Sequence, residues 1–305
     1  MYDDALTEAV RAIYDLLAHG MSVVVTDYYG WARRPYTITS TASLRRTPCS
    51  TRSAPPNACR AAKSERTRRW RFLAIRRAAA LPQLPAELQP SYAPELNIRG
   101  TYAGAPPANP LDVLNSPGLN GEPTGNGRPG GPAIGLIGYV INGVYTDHPE
   151  SRPVIDQTVN LRGVKFLKDV AQQCVGATIL DYAYDDSRSY LADGQSISTV
   201  INSSPVLKGI AEEQTIGTPK PQAPVLLVSN INDDLLPHKQ VRQLADEWCA
   251  KGATVKLDTA LISPLIPSTI VGHAVELIPG IDAGEDWISD RFAGKPAPNS
   301  CGSLS

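Results

Sequence analysis

The last third of the chain alternates two hydrophobic periods, and that alternation restricts the fold more than any other feature. Ala223-Pro224-Val225-Leu226-Leu227-Val228-Ser229 is a nearly unbroken apolar run, the pattern of a strand buried on both faces. Residues 238 to 251 then carry helical spacing, Thr254-Val255-Lys256-Leu257 reads as a second strand, and 273 to 293 as a final helix. Strands separated by helices dictate a parallel sheet, because parallel neighbours need a crossover connection that is usually helical.

The same rhythm opens the chain. Residues 3 to 19 place Ala5, Val10, Ile13, Leu16 and Leu17 at helical spacing, Gly20 stops the helix, and Met21 to Asp27 follows as a buried strand. Asn97 to Gly104 is another expected strand, ending in the loop Ala105-Pro106-Pro107. Residues 117 to 132 are rich in Gly, Pro and Asn and read as a flexible loop, and 133 to 215 hold several helices, one of them over 154 to 173. The expected fold class is α/β, with a mostly parallel central sheet and a mostly helical insertion.

Residues 32 to 83 break the rhythm. They have no steady period and are crowded with Arg, Thr, Ser and Pro, the composition of a disordered or poorly packed segment. Between 32 and 77 thirteen Lys and Arg meet a single acid, Glu65, so the formal net charge of −1 conceals a clearly acidic remainder. Trp70 and Phe72 interleave with Arg66, Arg68, Arg69 and Arg71, which is one way to build a nucleic-acid surface. A solvated basic run is the plainer reading, and nucleic acid is not the expected partner.

Other classes are excluded by simpler observations. No run of about 18 apolar residues exists, so no membrane span is expected. The N-terminus lacks the charged-then-apolar plan of a signal peptide. Cysteines 49, 59, 174, 249 and 301 form no C-x-x-C pair and have no histidine at finger spacing, so no structural zinc site is expected; no other metal and no cofactor is expected either. An odd count leaves an unpaired thiol, an intermolecular bridge or a missing partner.

In an open parallel sheet, function collects at the carboxyl ends of the strands. The strand at 223 to 229 runs into Asn230-Ile231-Asn232-Asp233-Asp234-Leu235-Leu236-Pro237, and the strand at 254 to 257 leads to Gly272-His273. An acid followed by a histidine, one helix and one strand apart, suits a carboxylate that orients an imidazole as general base. Asp233 also fits a helix N-cap before Leu-Leu-Pro, and His273 a polar residue opening the last helix. His19, His148 and His238 each stand beside Gly or Pro, are expected to be exposed, and are assigned no role.

Met21 to Gly30, Leu88-Gln89-Pro90-Ser91-Tyr92-Ala93-Pro94-Glu95-Leu96-Asn97, Asn232 to Pro237 and Trp248-Cys249-Ala250-Lys251-Gly252-Ala253 resemble the secretory lipase family, the lipase A-type α/β-hydrolases. The resemblance covers roughly residues 1 to 31 and 86 to 301. It implies an α/β-hydrolase fold, a secreted protein, and hydrolysis of acyl esters at a lipid–water interface. Residue by residue it places the triad acid on Asp233, the histidine on His273, and an oxyanion-hole backbone N–H on Asp27. It divides the chain into a hydrolase core over 1–104, a helical cap over 105–220, and the rest of the core over 221–305. It pairs Cys249 with Cys301, and likens Cys174 to a bridging cysteine whose partner lies in an N-terminal region this chain does not contain. The N-terminus is therefore expected to be truncated.

The family's nucleophile sits in a Gly-x-Ser-x-Gly elbow, and no such motif occurs here. It is due near Arg76, inside the basic segment. One GC-rich codon set for Phe72 to Ala80, read from the third base, yields Leu-Gly-Tyr-Ser-Gln-Gly-Gly-Gly. The same shift over Arg46 to Ala54 can give an amphipathic helical series. The sequence-level expectation is a compensated frameshift over about 32–83, which removes the serine, leaves the chain inactive, and makes Cys49 and Cys59 accidental. Unpaired charge at Arg76 and Arg77 is further expected to keep the segment out of the central strand and helix positions. A non-catalytic lipid-binding remnant is the alternative.

Overall fold

A computed structural model describes residues 13–23, 70–74, 85–116, 119, 131–262 and 270–304. Among them four parallel strands follow one another in sequence order. These are β1 (Trp70–Ala74), β2 (Ile98–Gly104), β3 (Val225–Asn230) and β4 (Val255–Ala260). Trp70 and Ile98, which open β1 and β2, lie opposite each other, and Val225 and Val255, which open β3 and β4, begin level three residues further on, opposite Thr101 of β2.

β3 lies at the centre of the core, and all six of its residues are buried. Val225 and Leu227 project to one face, against Val241, Leu244, Ala245 and Trp248 of α9 (His238–Ala250). Leu226 and Val228 project to the other, with Tyr102 of β2 and with Trp287 and Ile288 of α11 (Leu277–Phe292). Alternating side chains thus meet a helix on each face, which explains why the strand reads as continuous rather than alternating. Near this core, α1 (Pro85–Tyr92) contributes Glu87, whose Oε1 accepts the Trp248 indole N–H at 2.9 Å and the Gly217 amide at 2.8 Å. One buried carboxylate oxygen therefore joins α1, α9 and the approach to β3.

The described residues between β2 and β3 are helical: α2 (Pro110–Leu114), α3 (Gly135–Asp147), α4 (Arg152–Thr158), α5 (Leu161–Val170), α6 (Val175–Tyr182), α7 (Ile197–Ser203) and α8 (Pro205–Glu213). The single helix expected over 154 to 173 is two, α4 and α5. Asn160 makes the break: its side-chain oxygen accepts the Gly163 amide at 3.0 Å while its NH2 donates to the carbonyls of Ser189 and Leu191. The last helix is likewise interrupted, into α10 (Val271–Ala274) and α11.

The basic segment requires a correction. Trp70–Ala74 pairs with β2 through Phe72 and Thr101, Leu73 and Tyr102, and Ala74 and Ala103, with an irregular register between Trp70 and Phe72. A strand position is therefore filled, because ladder pairing uses backbone groups that any residue but proline carries, and Trp-Arg-Phe-Leu-Ala suits a strand. Arg76, Arg77, Cys49 and Cys59 lie outside the described residues, as does Asp27. Of the strand expected at 21 to 27, residues 21–23 have no regular structure and the remainder is likewise outside; residues 13–18 are helical. Among the described residues no helix is long and apolar enough to cross a membrane.

The C-terminal tail runs along β4. The Ser300 amide donates to the Val255 carbonyl at 2.7 Å, and the Leu257 amide to Ser300 Oγ at 3.2 Å. Cys249, at the end of α9, is bonded to Cys301, closing 52 residues. Cys174 is exposed and unbridged. Closing a loop of that length stabilises by roughly 4 kcal/mol through lost chain entropy. C301S is expected to lower the urea midpoint accordingly, and reduction of the unaltered protein should give the same loss; an unchanged midpoint would mean that the tail holds β4 without the bond.

Candidate active site

Two loops leave the carboxyl ends of β3 and β4 carrying charged and polar side chains that the core cannot accept. Asp233, on the first loop, is buried, and its carboxylate lies against His273 of α10, with Oδ2 2.8 Å and Oδ1 3.1 Å from Nδ1. An ionised carboxylate only accepts, so Nδ1 carries the proton and Nε2 is the basic nitrogen. Oδ1 also accepts the backbone N–H groups of Leu235 and Leu236, at 2.9 and 2.8 Å. Asp233 thus both closes its own turn and orients the imidazole. It is not the N-cap of α9, which begins after Pro237.

Burial by itself works to raise the Asp233 carboxyl. The hydrogen bond and charge of His273, with the Leu236 and Leu235 amides, outweigh it and hold the group below its ordinary value of 3.8. A depressed carboxyl contributes stability that is present above its unfolded value and lost as pH falls through the folded one.

Three further side chains fix the geometry, and sequence reasoning passed over them. Asn230, fully buried at the end of β3, donates from its NH2 to the Gly272 carbonyl at 3.0 Å. Its oxygen accepts the Asn232 and Ile262 amides, each at 3.2 Å. Asn232 donates to the Ile262 carbonyl at 3.0 Å, and Asp234 Oδ2 accepts the Ile270 amide at 3.0 Å. Ile270 has φ +66°, a left-handed conformation unfavourable for a β-branched residue, and the Asp234 bond secures it immediately before the histidine turn. Gly272 is dictated by close approach, since a Cβ there would lie 2.5 Å from the Asn232 carbonyl oxygen. The signal was present as an Asn-x-Asn-Asp-Asp cluster after a strand and a glycine directly before the histidine.

From the helical insertion, Ile134 and Ile137, at and just after the N-cap of α3, pack with Val113 of α2 against Leu235 and Leu236. The turn that bears Asp233 is therefore clamped from the side of these helices as well. The other histidines stand apart from this pair. His19 is exposed and bonds the Asp15 carbonyl, as expected for a surface residue. His148 and His238 are half-buried instead of exposed: His148 turns toward Glu150 at 3.0 Å, and burial, with the Arg242 charge, pushes His238 down. Among the described residues no group of acids, histidines and cysteines is arranged to hold a metal.

N230A leaves one carbonyl and two amides without their partner, an expected loss of about 2–3 kcal/mol in denaturant unfolding. G272A should be similarly damaging, while a surface control such as K239A is not. The acid side of the stability profile supplies a separate check. Below the ordinary carboxyl value of 3.8, stability should fall with pH in the unaltered chain and fall less steeply in D233N.

A model of the secretory lipase family matches residues 6–300. A secreted triacylglycerol lipase of Malassezia globosa is 29% identical over 219 residues, covering 71% of this chain and 44% of that protein. Lipase A of Arthroderma benhamiae is 26% identical over 218 residues, covering 71% and 42%. The chain spans less than half the length of these curated relatives. The crystal structure of Candida antarctica lipase A in its closed state superposes with a TM-score of 0.58 at 25% identity, over 72% of this chain and 47% of that one. A rice cell wall degrading esterase from Xanthomonas oryzae, 15% identical, shares the fold with a TM-score of 0.54 over 67% and 54%. With a parallel sheet, a helical insertion and these neighbours, the fold is that of the α/β-hydrolases, and the chain belongs to the secretory lipase family.

Proposed function

We propose that this chain derives from a secreted triacylglycerol lipase or related carboxylic ester hydrolase, retains its acid–base pair, and has lost its nucleophile. The observation that carries the reading is the Asp233–His273 contact at the carboxyl edge of the sheet, at 2.8 Å, in a chain with no Gly-x-Ser-x-Gly turn. In such an enzyme the serine hydroxyl attacks the ester carbonyl, Nε2 takes its proton, and the carboxylate stabilises the imidazolium that forms. Backbone N–H groups stabilise the oxyanion, Asp27 supplying one on this reading.

Strand order supports the location of the loss. The acid follows β3 and the histidine follows β4, so a nucleophile preceding both along the chain belongs after an earlier strand. β1 ends at Ala74, two positions before Arg76, where one codon set read in a shifted frame would place serine. The core over 1–104 and 221–305, with the cap over 105–220, is the division we assign, and the extracellular medium is the location. Acyl esters at a lipid–water interface are the substrate class.

Without the serine, His273 has no hydroxyl to deprotonate at the elbow, and ester turnover by acyl transfer is absent. The purified chain is expected to hydrolyse p-nitrophenyl butyrate no faster than its H273A variant; turnover that disappears in H273A would overturn the inactivity. The encoding nucleotides across residues 32–83 provide the second test. An alternative frame there should encode a Gly-x-Ser-x-Gly turn, and its absence would end the frameshift explanation.

A further inference from the structure

Two large aliphatic side chains stand in solvent where the loops of the acid and the histidine leave the sheet. Leu261, the first residue after β4, is 76% exposed, and Ile231, the first after β3, is 51% exposed. They are neighbours across the two strand ends, because the Ile231 amide donates to the carbonyl of Ala260 at 3.0 Å. The residues that follow them are joined as well, Asn232 donating from its NH2 to the Ile262 carbonyl at 3.0 Å. Asp233 comes next on the first loop, and the second leads to the half-buried Val271 and to His273.

A single exposed leucine is ordinary on a protein surface and calls for no partner. Leu161 and Leu180, 90% and 78% exposed on α5 and α6, are of that kind, each with a charged residue beside it in sequence, Arg162 and Asp181. The setting of Leu261 differs. From Thr259 to Val275 the sequence holds no Asp, Glu, Lys or Arg, in a chain with 19% charged residues, and nine of those seventeen positions are Ala, Val, Leu or Ile. A rim of this composition gains by burying apolar area and offers no ion pair to a charged partner. The charge that precedes the run, Asp258, is an exposed carboxylate and opposes an anionic surface. An uncharged lipid aggregate supplies apolar burial without demanding a matched shape.

We infer that Ile231 and Leu261 form a docking rim that enters the surface of a lipid aggregate without net charge and brings the Asp233–His273 edge of the sheet against it. The choice of lipid as partner rests on the lipase reading; the exposed pair and its uncharged surroundings do not. Flotation of the purified full chain with phosphatidylcholine vesicles carrying triolein tests the inference and needs no ester turnover. Binding is expected, weakened about tenfold or more in I231D/L261D and by a smaller factor in I231S/L261S, while L161D and L180D bind as the unaltered chain does. The substituted positions are exposed, so all four variants should unfold at the midpoint of the unaltered chain. Phosphatidylserine in the vesicles should not strengthen binding. The inference is overturned if the chain does not float, if L161D or L180D loses as much as I231D/L261D, or if phosphatidylserine is required. A dimer in sedimentation velocity without lipid, dissociated by I231D/L261D, would assign the pair to a second copy and overturn it equally. None of these outcomes decides descent from a lipase, which the encoding nucleotides test separately.

Discussion

Buried carboxamides hold the carboxyl edge of the sheet together. Loops that leave parallel strands there carry backbone N–H and C=O groups that no ladder satisfies, and a side-chain amide can serve both kinds at once. Asn230 does so between the loops after β3 and β4, bonding the Gly272 carbonyl and the Asn232 and Ile262 amides. Gln240, buried at the start of α9, does the same for the loop after β2. It accepts the Ala108 and Asn109 amides and donates to the Pro106 carbonyl at 2.8 Å. The placement of Asp233 and His273 follows from these neutral groups as well as from the hydrogen bond between them. Neutral amides fix loops without the desolvation cost of a buried charge.

The elements that packing decides were legible in the sequence, and those that hydrogen bonding decides were less so. The run at 223 to 229 announced β3 because both faces of that strand meet helices, against Trp248 on one side and Trp287 on the other. Asp233 and His273 could be singled out because the alternation of strand and helix fixes which loops share an edge. The break between α4 and α5 was hidden, since hydrophobic spacing runs through it and a single side chain, Asn160, bends the backbone. Asn230 and Asp234 were hidden for the same reason: polar residues in a loop do not declare their partners, here some 30 to 40 residues further along the chain.

Residues 70–74 show where compositional reasoning overreached. A segment foreign in charge still contributes a strand, because pairing with β2 needs only backbone groups and tolerant side chains. What a basic segment cannot supply is the small-residue turn that a nucleophile requires after such a strand. On the proposed reading the sheet remains while the chemistry does not, and the boundary between the two falls within a few residues.

The tail pinned over β4 bears on how the chain is made. Residue 301 emerges from the ribosome after β4 itself, and the bond to Cys249 closes only when a thiol is oxidised, a step of seconds to hours. Until then, among the described residues, that side of β4 is held by non-covalent contacts of the tail, those of Ser300 with Val255 and Leu257 foremost. An uncovered strand edge is a template for pairing with other chains. The interval between synthesis and oxidation is therefore a window of aggregation risk, and its length is set by the surrounding redox conditions and not by the native fold.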